Sequence, residues 1–196
     1  MGRIVISANV SLDGVVQDPD GTEGFARGGW FAPIGSGDRE AWAKTELAEA
    51  LSAEALLLGR RTYEIFASRW PGRTGEWADR LNGLPKYVVS STLRAPAWAN
   101  TTVLAGAAVP SVAKLKREVA GDIVVYGSGQ LAHTLIEHDL VDELRLMIYP
   151  IVLGAGERLF GGTGERKPLR LLDSRTIGDG LALLTYERDS RSQRGA

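Results

Sequence analysis

The sequence predicts an α/β fold built around a mixed, mainly parallel β-sheet, and three observations support this class. Runs of consecutive apolar residues at 55–58 and 123–126 are typical of strands that helices bury on both faces. Segments with the apolar spacing of packed helices alternate with these runs. Towards the C-terminus, the apolar stretches 169–177 and 181–187 flank residues 178–180, Gly-Asp-Gly, which predicts an antiparallel hairpin.

The N-terminal part of the chain is predicted to form one strand and one long helix. The strand covers residues 3–10, and a long glycine-rich loop follows it. A helix is predicted over about residues 38–51, with Asp38 in its first turn, where the helix dipole favours negative charge. Its core-facing side is a single apolar stripe formed by Ala43, Leu47, Ala50 and Leu51.

Three short predicted strands in the central part of the chain each end in a polar loop. Apolar stripes at residues 112–119 and 131–136 predict helices near the last of these strands, and residues 143–149 form a further strand closed by Pro150. The three strand–loop pairs are residues 55–58 with Gly59-Arg60-Arg61-Thr62, 87–89 with Ser90-Ser91-Thr92, and 123–126 with Gly127-Ser128-Gly129-Gln130.

These loops predict a site for an anionic ligand. In open α/β sheets, ligands bind outside the carboxyl ends of the strands. Glycine lets the backbone approach a phosphate closely, hydroxyl groups add donors, and the start of a helix offers free N–H groups. Arg60 and Arg61 add positive charge. One such loop alone could be an ordinary strand-to-helix turn, but three together favour an elongated anion such as a dinucleotide.

Two familiar dinucleotide and nucleotide folds fit poorly. Residues 127–132 match the Rossmann pattern G-x-G-x-x-A, which requires an acid at the end of the next strand. Tyr149 and Pro150 occupy that position, and too little chain follows for a second mononucleotide half. A P-loop is excluded because the sequence contains no Gly-Lys dipeptide.

Composition excludes several other classes of function. The chain has 23 Lys and Arg against 24 Asp and Glu, a net charge of -1, which argues against a nucleic-acid-binding protein. It contains no cysteine, so disulfides, thiolate nucleophiles and Cys-ligated zinc are excluded. The five-residue spacing of His133 and His138 predicts no metal site. Without a signal-peptide region or a membrane-spanning segment, we expect a cytoplasmic protein with no membrane partner.

Several short segments, spread over about residues 3–187, form a recognisable set of motifs. They are Ser11-Leu12-Asp13-Gly14, Leu58-Gly59-Arg60-Arg61-Thr62, Val89-Ser90-Ser91-Thr92, residues 125–131, Val141-Asp142-Glu143-Leu144, and Leu153-Gly154-Ala155-Gly156 with Leu159-Phe160. Together they resemble the dihydrofolate reductase superfamily. Within it, the C-terminal block is most similar to the reductases of riboflavin biosynthesis, which form the C-terminal domain of a bifunctional deaminase-reductase.

The resemblance implies a dihydrofolate reductase-like sheet of about eight strands and a cofactor site for NADPH. Arg60 and Ser91 would hold the 2′-phosphate of the adenosine, and Thr62 with the G-x-G loop would bind the pyrophosphate. Asp13 is either a catalytic polar group beside the nicotinamide or a turn residue at the end of the first strand. The predicted cofactor-binding residues are Asn9, Val16, Gly59, Arg60, Arg61, Thr62, Ser90, Ser91, Gly127, Ser128, Gly129, Gln130 and Leu131.

The activity implied by the resemblance is NADPH-dependent hydride transfer, as in 5-amino-6-(5-phosphoribosylamino)uracil reductase. The alternatives are reduction of another small substrate, or NADPH binding without turnover. The deaminase half is excluded because it needs cysteine ligands for zinc. Folate reductases bind their substrate through a carboxylate on the helix after a W-x-x-P loop, here residues 30–33, and no candidate matches clearly. Those candidates are Asp38, Glu40, Glu46 and Glu49.

We also predict one domain over residues 1–188, a disordered tail over 189–196, and a homodimer. The resemblance implies the dimer, because reductases of this branch commonly pair. Residues 144–153 are apolar at nearly every position, which suggests that this segment forms the subunit contact. The alternative is a central strand that is buried on both faces within one subunit.

Overall fold

The computed structural model describes residues 1–189 and shows strands and helices in alternation over most of the chain. The elements, in chain order, are β1 (Arg3–Ser11), α1 (Ser36–Ser52), β2 (Ala53–Gly59), α2 (Arg60–Arg69), α3 (Glu76–Gly83), β3 (Lys86–Val89), β4 (Thr101–Leu104), α4 (Ala108–Glu118), β5 (Asp122–Tyr126), α5 (Gly129–Glu137), β6 (Glu143–Tyr149), β7 (Leu169–Ile177) and β8 (Leu181–Arg188).

The strands form an eight-stranded sheet in the order β4-β3-β2-β5-β1-β6-β8-β7. The six strands from β4 to β6 are parallel, and β8 is antiparallel to both of its neighbours, β6 and β7. The prediction of a mixed, mainly parallel sheet with an antiparallel C-terminal hairpin is therefore confirmed. Because β1, β2 and β5 are adjacent and parallel, their carboxyl ends meet at one edge of the sheet.

The side chains of β1 point alternately to the two faces of the sheet, and each face is covered by a different layer of helices. Ile4 and Ile6 pack in a core with α4 and α5, whereas Val5 packs on the opposite face, in a core with residues of α1, α2 and α3. Ser7 and Asn9 lie two and four residues after Val5, so their side chains are on the same face as Val5, the α1 face, near the carboxyl end of β1. This face carries the polar residues of the site.

Two short elements have no clear signal in the sequence. Helix α3 has only eight residues, and no side chain caps its N-terminus. Strand β4 has four residues, none of them buried, and it lies at the sheet edge. Neither segment is long enough to show a periodic pattern, so their positions depend on contacts with the rest of the sheet.

The predicted subunit contact at residues 144–153 is wrong for its strand portion. Strand β6 pairs with β1 on one side and with β8 on the other, and Leu144, Leu146, Met147 and Tyr149 are at most 5% exposed. The unbroken apolar pattern therefore reflects a central strand covered on both faces within one subunit.

The apolar surface that remains exposed lies instead on the edge strand β7. Eight of its nine residues are exposed, and they include Leu169, Leu171 and Leu172 at 40%, 49% and 42%. Among residues 1–189, no helix has the length and apolar character needed to cross a membrane. Of the predicted tail, residues 190–196 lie outside the described residues.

Candidate active site

A cavity of about 1070 Å³ opens at the carboxyl ends of β1, β2 and β5. It contains most of the predicted cofactor residues but not Ser90, Ser91 or Asp13. The predicted residues that line it are Asn9, Val16, Gly59, Arg60, Arg61, Thr62, Gly127, Ser128, Gly129, Gln130 and Leu131. We call the part lined by the loops after β2 and β5 the phosphate half.

Two helices begin in the phosphate half, and neither has a side-chain cap at its N-terminus. Helix α2 starts at Arg60, directly after β2, and α5 starts at Gly129, with two residues between it and β5. The first backbone hydrogen bond of α5 runs from Ala132 N to Ser128 O, at 2.8 Å. The N–H groups at the start of the helix precede that bond, so they are available to an anion.

Hydrogen bonds tie the two loops of the phosphate half together. Gly59 N donates to Ser128 Oγ at 2.9 Å, and Ser128 N donates to Thr62 Oγ1 at 2.9 Å. Ser128 Oγ in turn donates to Tyr126 O at 3.0 Å. The Ser128 side chain therefore holds the loops in register, and backbone N–H groups rather than this hydroxyl face a ligand.

Gly127 and Gly129 have different roles in the second loop. Gly127 has a φ of 52°, and a Cβ there would lie 3.1 Å from Thr62 Oγ1, so a side chain is disfavoured by the protein itself. A Cβ at Gly129 would meet its nearest atoms, on Val16 and Glu157, at 3.8 and 3.9 Å, which is ordinary contact. Gly129 therefore faces open space in the cavity.

Arg60 lies beside a hydroxyl group, but the hydroxyl is not that of Ser91. Its guanidinium contacts Thr92 Oγ1 and also pairs with Glu64 Oε1 at 2.7 Å. Ser90 is buried and accepts hydrogen bonds from the backbone N–H groups of Thr92 and Leu93, at 3.2 and 3.0 Å. Ser90 therefore shapes the turn, and the Thr92 hydroxyl lies beside Arg60, one residue beyond the predicted Ser91.

The loop between β1 and α1 reaches over the cavity to α2. Arg61 pairs with Glu23 of this loop at 2.8 Å, and Arg69 contacts Asp20. Burial raises the pKa of Glu23 above its usual value, even though Arg61 acts in the opposite direction. Arg61 is thus bound to the covering loop in the structure.

Aromatic side chains line the other part of the cavity, which we call the acid-aromatic half. The ring centroids of Trp42 and Trp77 are 5.6 Å apart, and those of Trp77 and Trp70 are 5.3 Å apart. Phe31 packs against Trp42 at 5.4 Å. All four line the cavity, so they form a wall suited to a planar ring.

Three of the four candidate carboxylates on α1 have structural partners. Asp38 accepts hydrogen bonds from the backbone of the β7–β8 turn, at 2.6 and 3.2 Å. Glu40 is exposed and pairs with Lys44 at 2.7 Å. Glu49 pairs with Arg145 of β6 at 2.9 Å. These contacts fix the hairpin and the helix, and none of the three residues lines the cavity.

The fourth candidate, Glu46, is buried and lines the acid-aromatic half. It forms no hydrogen bond or ion pair with the residues that the structure describes. Burial raises the pKa of Glu46 well above its usual value, and the nearby Glu49 carboxylate raises it further. Arg145 acts in the opposite direction, but burial and Glu49 outweigh it, so the surroundings of Glu46 favour its uncharged form.

Asn9 faces the junction of the two halves, and its orientation is fixed. Trp42 Nε1 donates a hydrogen bond to Asn9 Oδ1 at 3.1 Å. Because the amide oxygen is occupied, the NH₂ group of Asn9 is the end left for a ligand, as a donor.

Asp13 lies outside the cavity, and its carboxylate is fully engaged. It accepts hydrogen bonds from Ser11 Oγ at 2.7 Å, Leu153 N at 3.0 Å and Gly154 N at 2.8 Å. These bonds, with that from Leu153 largest, hold the pKa of Asp13 well below its usual value. These contacts favour the turn-residue interpretation of Asp13 over a position beside the nicotinamide.

The sheet, its C-terminal hairpin and the cavity at the strand ends define a dihydrofolate reductase-like α/β protein. Residues 3–183 match the family model for the RibD C-terminal domain. The chain belongs to that family. It is therefore a RibD-like reductase, and this class of protein implies a nicotinamide cofactor.

Two similar proteins come from Bacillus subtilis (strain 168), and both are described as uncharacterized. YyaP is 30% identical over 142 residues, which cover 68% of this chain and 73% of YyaP. YwjB is 25% identical over 182 residues, which cover 92% of this chain and 95% of YwjB.

Solved structures with the same fold include three of low sequence identity. A putative riboflavin biosynthesis protein from Shewanella sp. PV-4 superposes with a TM-score of 0.69 at 20% identity, covering 95% of this chain and 99% of that one. A pyrimidine reductase-like protein from Corynebacterium diphtheriae gives 0.60 at 14% identity, covering 95% and 91%. Acinetobacter baumannii RibD gives 0.62 at 14% identity, covering 97% of this chain and 59% of the RibD chain.

Proposed function

We propose that this protein is an NADPH-dependent reductase that acts on a small planar substrate. The observation that carries the proposal is the shared cavity of about 1070 Å³, in which an anion-binding half adjoins an acid-aromatic half. A reductase needs this adjacency, because its cofactor and its substrate must touch at the reacting carbon. Family membership supports the same assignment.

The residues of the phosphate half fit a phosphorylated dinucleotide. The uncapped start of α5 and the open space at Gly129 suit a pyrophosphate. Arg60 with Thr92, and with Ser91 in the same loop, suits a 2′-phosphate. Asn9 and Val16 line the cavity where the nicotinamide would lie. When bound, the reduced nicotinamide supplies a hydride.

The residues of the acid-aromatic half bind and protonate the substrate. Trp42 and Trp77 stack against a planar ring and exclude water from it. Glu46 donates a hydrogen bond from its protonated carboxyl to an acceptor atom of the substrate. The same carboxyl supplies the proton that the substrate takes up after reduction. Asn9 holds a further acceptor atom through its NH₂ group.

The first substrate to test is 5-amino-6-(5-phosphoribosylamino)uracil, because family membership favours the riboflavin-pathway reaction. The structural neighbour from Corynebacterium diphtheriae is described as pyrimidine reductase-like, which points to the same class of substrate. The alternatives are another small heterocycle or carbonyl compound, and a module that binds NADPH without turnover. A cytoplasmic location remains our prediction.

Consumption of NADPH over a panel of substrates tests the assignment. The panel contains the pathway pyrimidine, dihydropteridines and simple aldehydes, each assayed with NADPH and with NADH. We expect turnover with at least one planar heterocycle and a preference for NADPH. Tight NADPH binding without turnover of any compound would instead support the binding module. Failure to bind either cofactor would contradict both interpretations.

We also propose a homodimer, with strand β7 in place of β6 as the contact. The exposed leucines of β7 form an apolar strip on an unpaired sheet edge, which is a common site of association. Light scattering at micromolar concentration should give twice the chain mass of 21.1 kDa. Leu171→Glu should yield the monomer, whereas Leu51→Glu, at a residue 47% exposed on α1, should not. A wild-type monomer would contradict the proposal.

A further inference from the structure

Near Glu46 lies a cluster of charged side chains, all largely buried except Arg3, that joins α1 to the sheet. Arg145 of β6 pairs with Glu49 at 2.9 Å, with Glu143 at 2.6 Å and with Asp122 at 3.1 Å. Arg3 also contacts Glu143, and it pairs with Asp122 at 3.4 Å. Three carboxylates therefore share two guanidinium groups, and the cluster has no positive charge left to balance a fourth carboxylate.

Among the described residues, four polar atoms are buried without a hydrogen-bond partner, including Trp77 Nε1 and the Tyr149 hydroxyl oxygen. The other two bear on the charged cluster. They are Glu49 Oε1, the oxygen that Arg145 does not bind, and the hydroxyl oxygen of Tyr126. Tyr126 ends β5, is 8% exposed and lines the cavity. Burial raises the pKa of its phenol, and Glu49 and Glu46 both raise it further, so the hydroxyl lies near both carboxyl groups.

We propose that Glu49 and Tyr126 are positioning residues that keep Glu46 in its neutral acid form and direct its proton into the cavity. This inference rests on the proposed function, in which Glu46 faces the substrate. Glu49 is three residues from Glu46 on the same helix, so its charge, fixed by Arg145, lies beside Glu46. The Tyr126 hydroxyl can donate to Glu49 Oε1, which satisfies both orphaned atoms and leaves the proton of Glu46 for the cavity.

Of the other charged groups near this end of the cavity, Arg145 acts to lower the pKa of Glu46, but burial and Glu49 outweigh it. Arg73 lies over the ring of Trp70, 5.0 Å from its centroid. Arg39 of α1 binds the backbone oxygen of Ala32 and lies over Phe31. Tyr149 of β6 is 1% exposed and uncharged. From α3, Trp77 and Leu81 line the cavity, and neither titrates.

If Glu46 is neutral, its hydrogen-bonding character determines which kind of substrate atom the site can bind. A protonated carboxyl donates a hydrogen bond, so the substrate must present an acceptor, namely a carbonyl oxygen or an imine-type nitrogen. The hydride and its electron pair add to the carbon of that C=O or C=N group, and its π bond opens. The heteroatom takes the proton of Glu46, which becomes a carboxylate and regains a proton from solvent after product leaves.

The test measures the protonation of Glu46 directly, in the ligand-free protein. Glutamate labelled with ¹³C at the carboxyl carbon is followed by NMR as a function of pH, and Glu46→Gln identifies the resonance. We expect the midpoint for wild-type Glu46 to lie above the ordinary range of glutamate. Glu49→Gln should lower it by about one pH unit, a tenfold loss of proton affinity, because the neighbouring charge is removed.

Tyr126→Phe is a second variant that preserves the fold, since the hydroxyl that it removes has no partner in the structure. It should also lower the midpoint, because Glu49 loses the donor that holds its carboxylate charged beside Glu46. Glu40→Gln, on the exposed side of the same helix, is the matched control and should change nothing. A wild-type midpoint in the ordinary carboxyl range, or a midpoint unchanged in Glu49→Gln, would overturn the proposal. An unchanged midpoint in Tyr126→Phe would remove Tyr126 from it.

The NMR measurement needs neither cofactor nor turnover, so its failure is distinct from failure of the proposed function. In an active enzyme, a further readout is the pH profile of kcat. The loss of activity at high pH should move to lower pH in Glu49→Gln, while KM for the cofactor stays unchanged. A loss of activity with an unshifted profile would indicate a merely structural role for Glu49.

Discussion

The two halves of the cavity differ in how their polar groups find hydrogen-bond partners. In the phosphate half, Gly59, Thr62 and Ser128 satisfy one another through hydrogen bonds that need no ligand. In the acid-aromatic half, Glu46 has no partner among the described residues, and Trp77 Nε1 is buried without one. The first half is therefore preorganised, whereas the second contains polar groups that only a bound molecule or solvent can satisfy. We infer that cofactor affinity resides in the first half and substrate selection in the second.

The largest effect is expected for Glu46→Gln, which changes the acid-aromatic half alone. The amide keeps the shape of the side chain but has no acidic proton, so kcat should fall by roughly 10²–10⁴-fold. The dissociation constant for NADPH should stay within about twofold. Steady-state kinetics and a cofactor titration, with Glu40→Gln as control, measure both quantities. A parallel loss of cofactor affinity would show that the two halves are not separable.

Gly129→Val changes the phosphate half and should weaken NADPH binding by about 100-fold, close to 2.7 kcal/mol. The branched side chain would occupy the open space assigned to the pyrophosphate, while its Cβ meets the protein only in ordinary contacts. Circular dichroism should therefore remain native. Gly72→Val, at a glycine with nothing within 4 Å and outside the cavity, is the matched control. Tight NADPH binding by a folded Gly129→Val protein would contradict the assignment.

Local hydrogen bonds explain why the sequence was informative about the phosphate half. Its residues follow their strands directly, so a strand followed by glycine, serine and threonine already implies where they lie. The sequence did not single out Thr92, one residue beyond Ser91, whose hydroxyl lies beside Arg60. The glycine-rich loops and the sheet class could be predicted because each depends on neighbouring residues.

The acid-aromatic half could not be predicted in the same way. Which of four carboxylates on α1 faces the cavity depends on the rotation of the helix against the sheet. That rotation is fixed by Arg145, which binds Glu49 from 96 positions away. Trp77 comes from α3, a helix too short to show a pattern. The misplaced subunit contact has a related cause, because an apolar run is equally typical of an interface and of a central strand.

Arg60→Ala should remove the preference for NADPH over NADH, at a cost of about 1.5–3 kcal/mol in NADPH binding. NADH affinity should be nearly unchanged, since NADH lacks the 2′-phosphate. Titration of both cofactors against the wild type and the variant measures the difference. Thr92→Val should reduce the preference by a smaller amount. Equal affinities for the two cofactors in the wild type would rule out a 2′-phosphate site at Arg60.

The smallest effect is expected outside both halves, at Asp13. Its pKa is lowered in the folded state by the hydrogen bonds it accepts, with that from Leu153 N largest. It therefore stabilises the fold above the ordinary pKa of aspartate, and this contribution is lost as the pH falls below that value. Asp13→Asn should flatten the fall of Tm at acidic pH and leave kcat nearly intact. A large loss of kcat with unchanged Tm would restore Asp13 to the active site.

The most direct test of the account is whether NADPH binds with its nicotinamide next to the acid-aromatic half. Trp42, Trp70 and Trp77 line that half, so excitation of tryptophan should produce emission from a bound reduced nicotinamide by energy transfer. We predict a saturable signal with NADPH, at least about tenfold weaker binding of NADH, and no signal in Gly129→Val. A protein that gives no saturable transfer with NADPH, or gives the same transfer in Gly129→Val, would contradict the proposal that one cavity holds both cofactor and substrate.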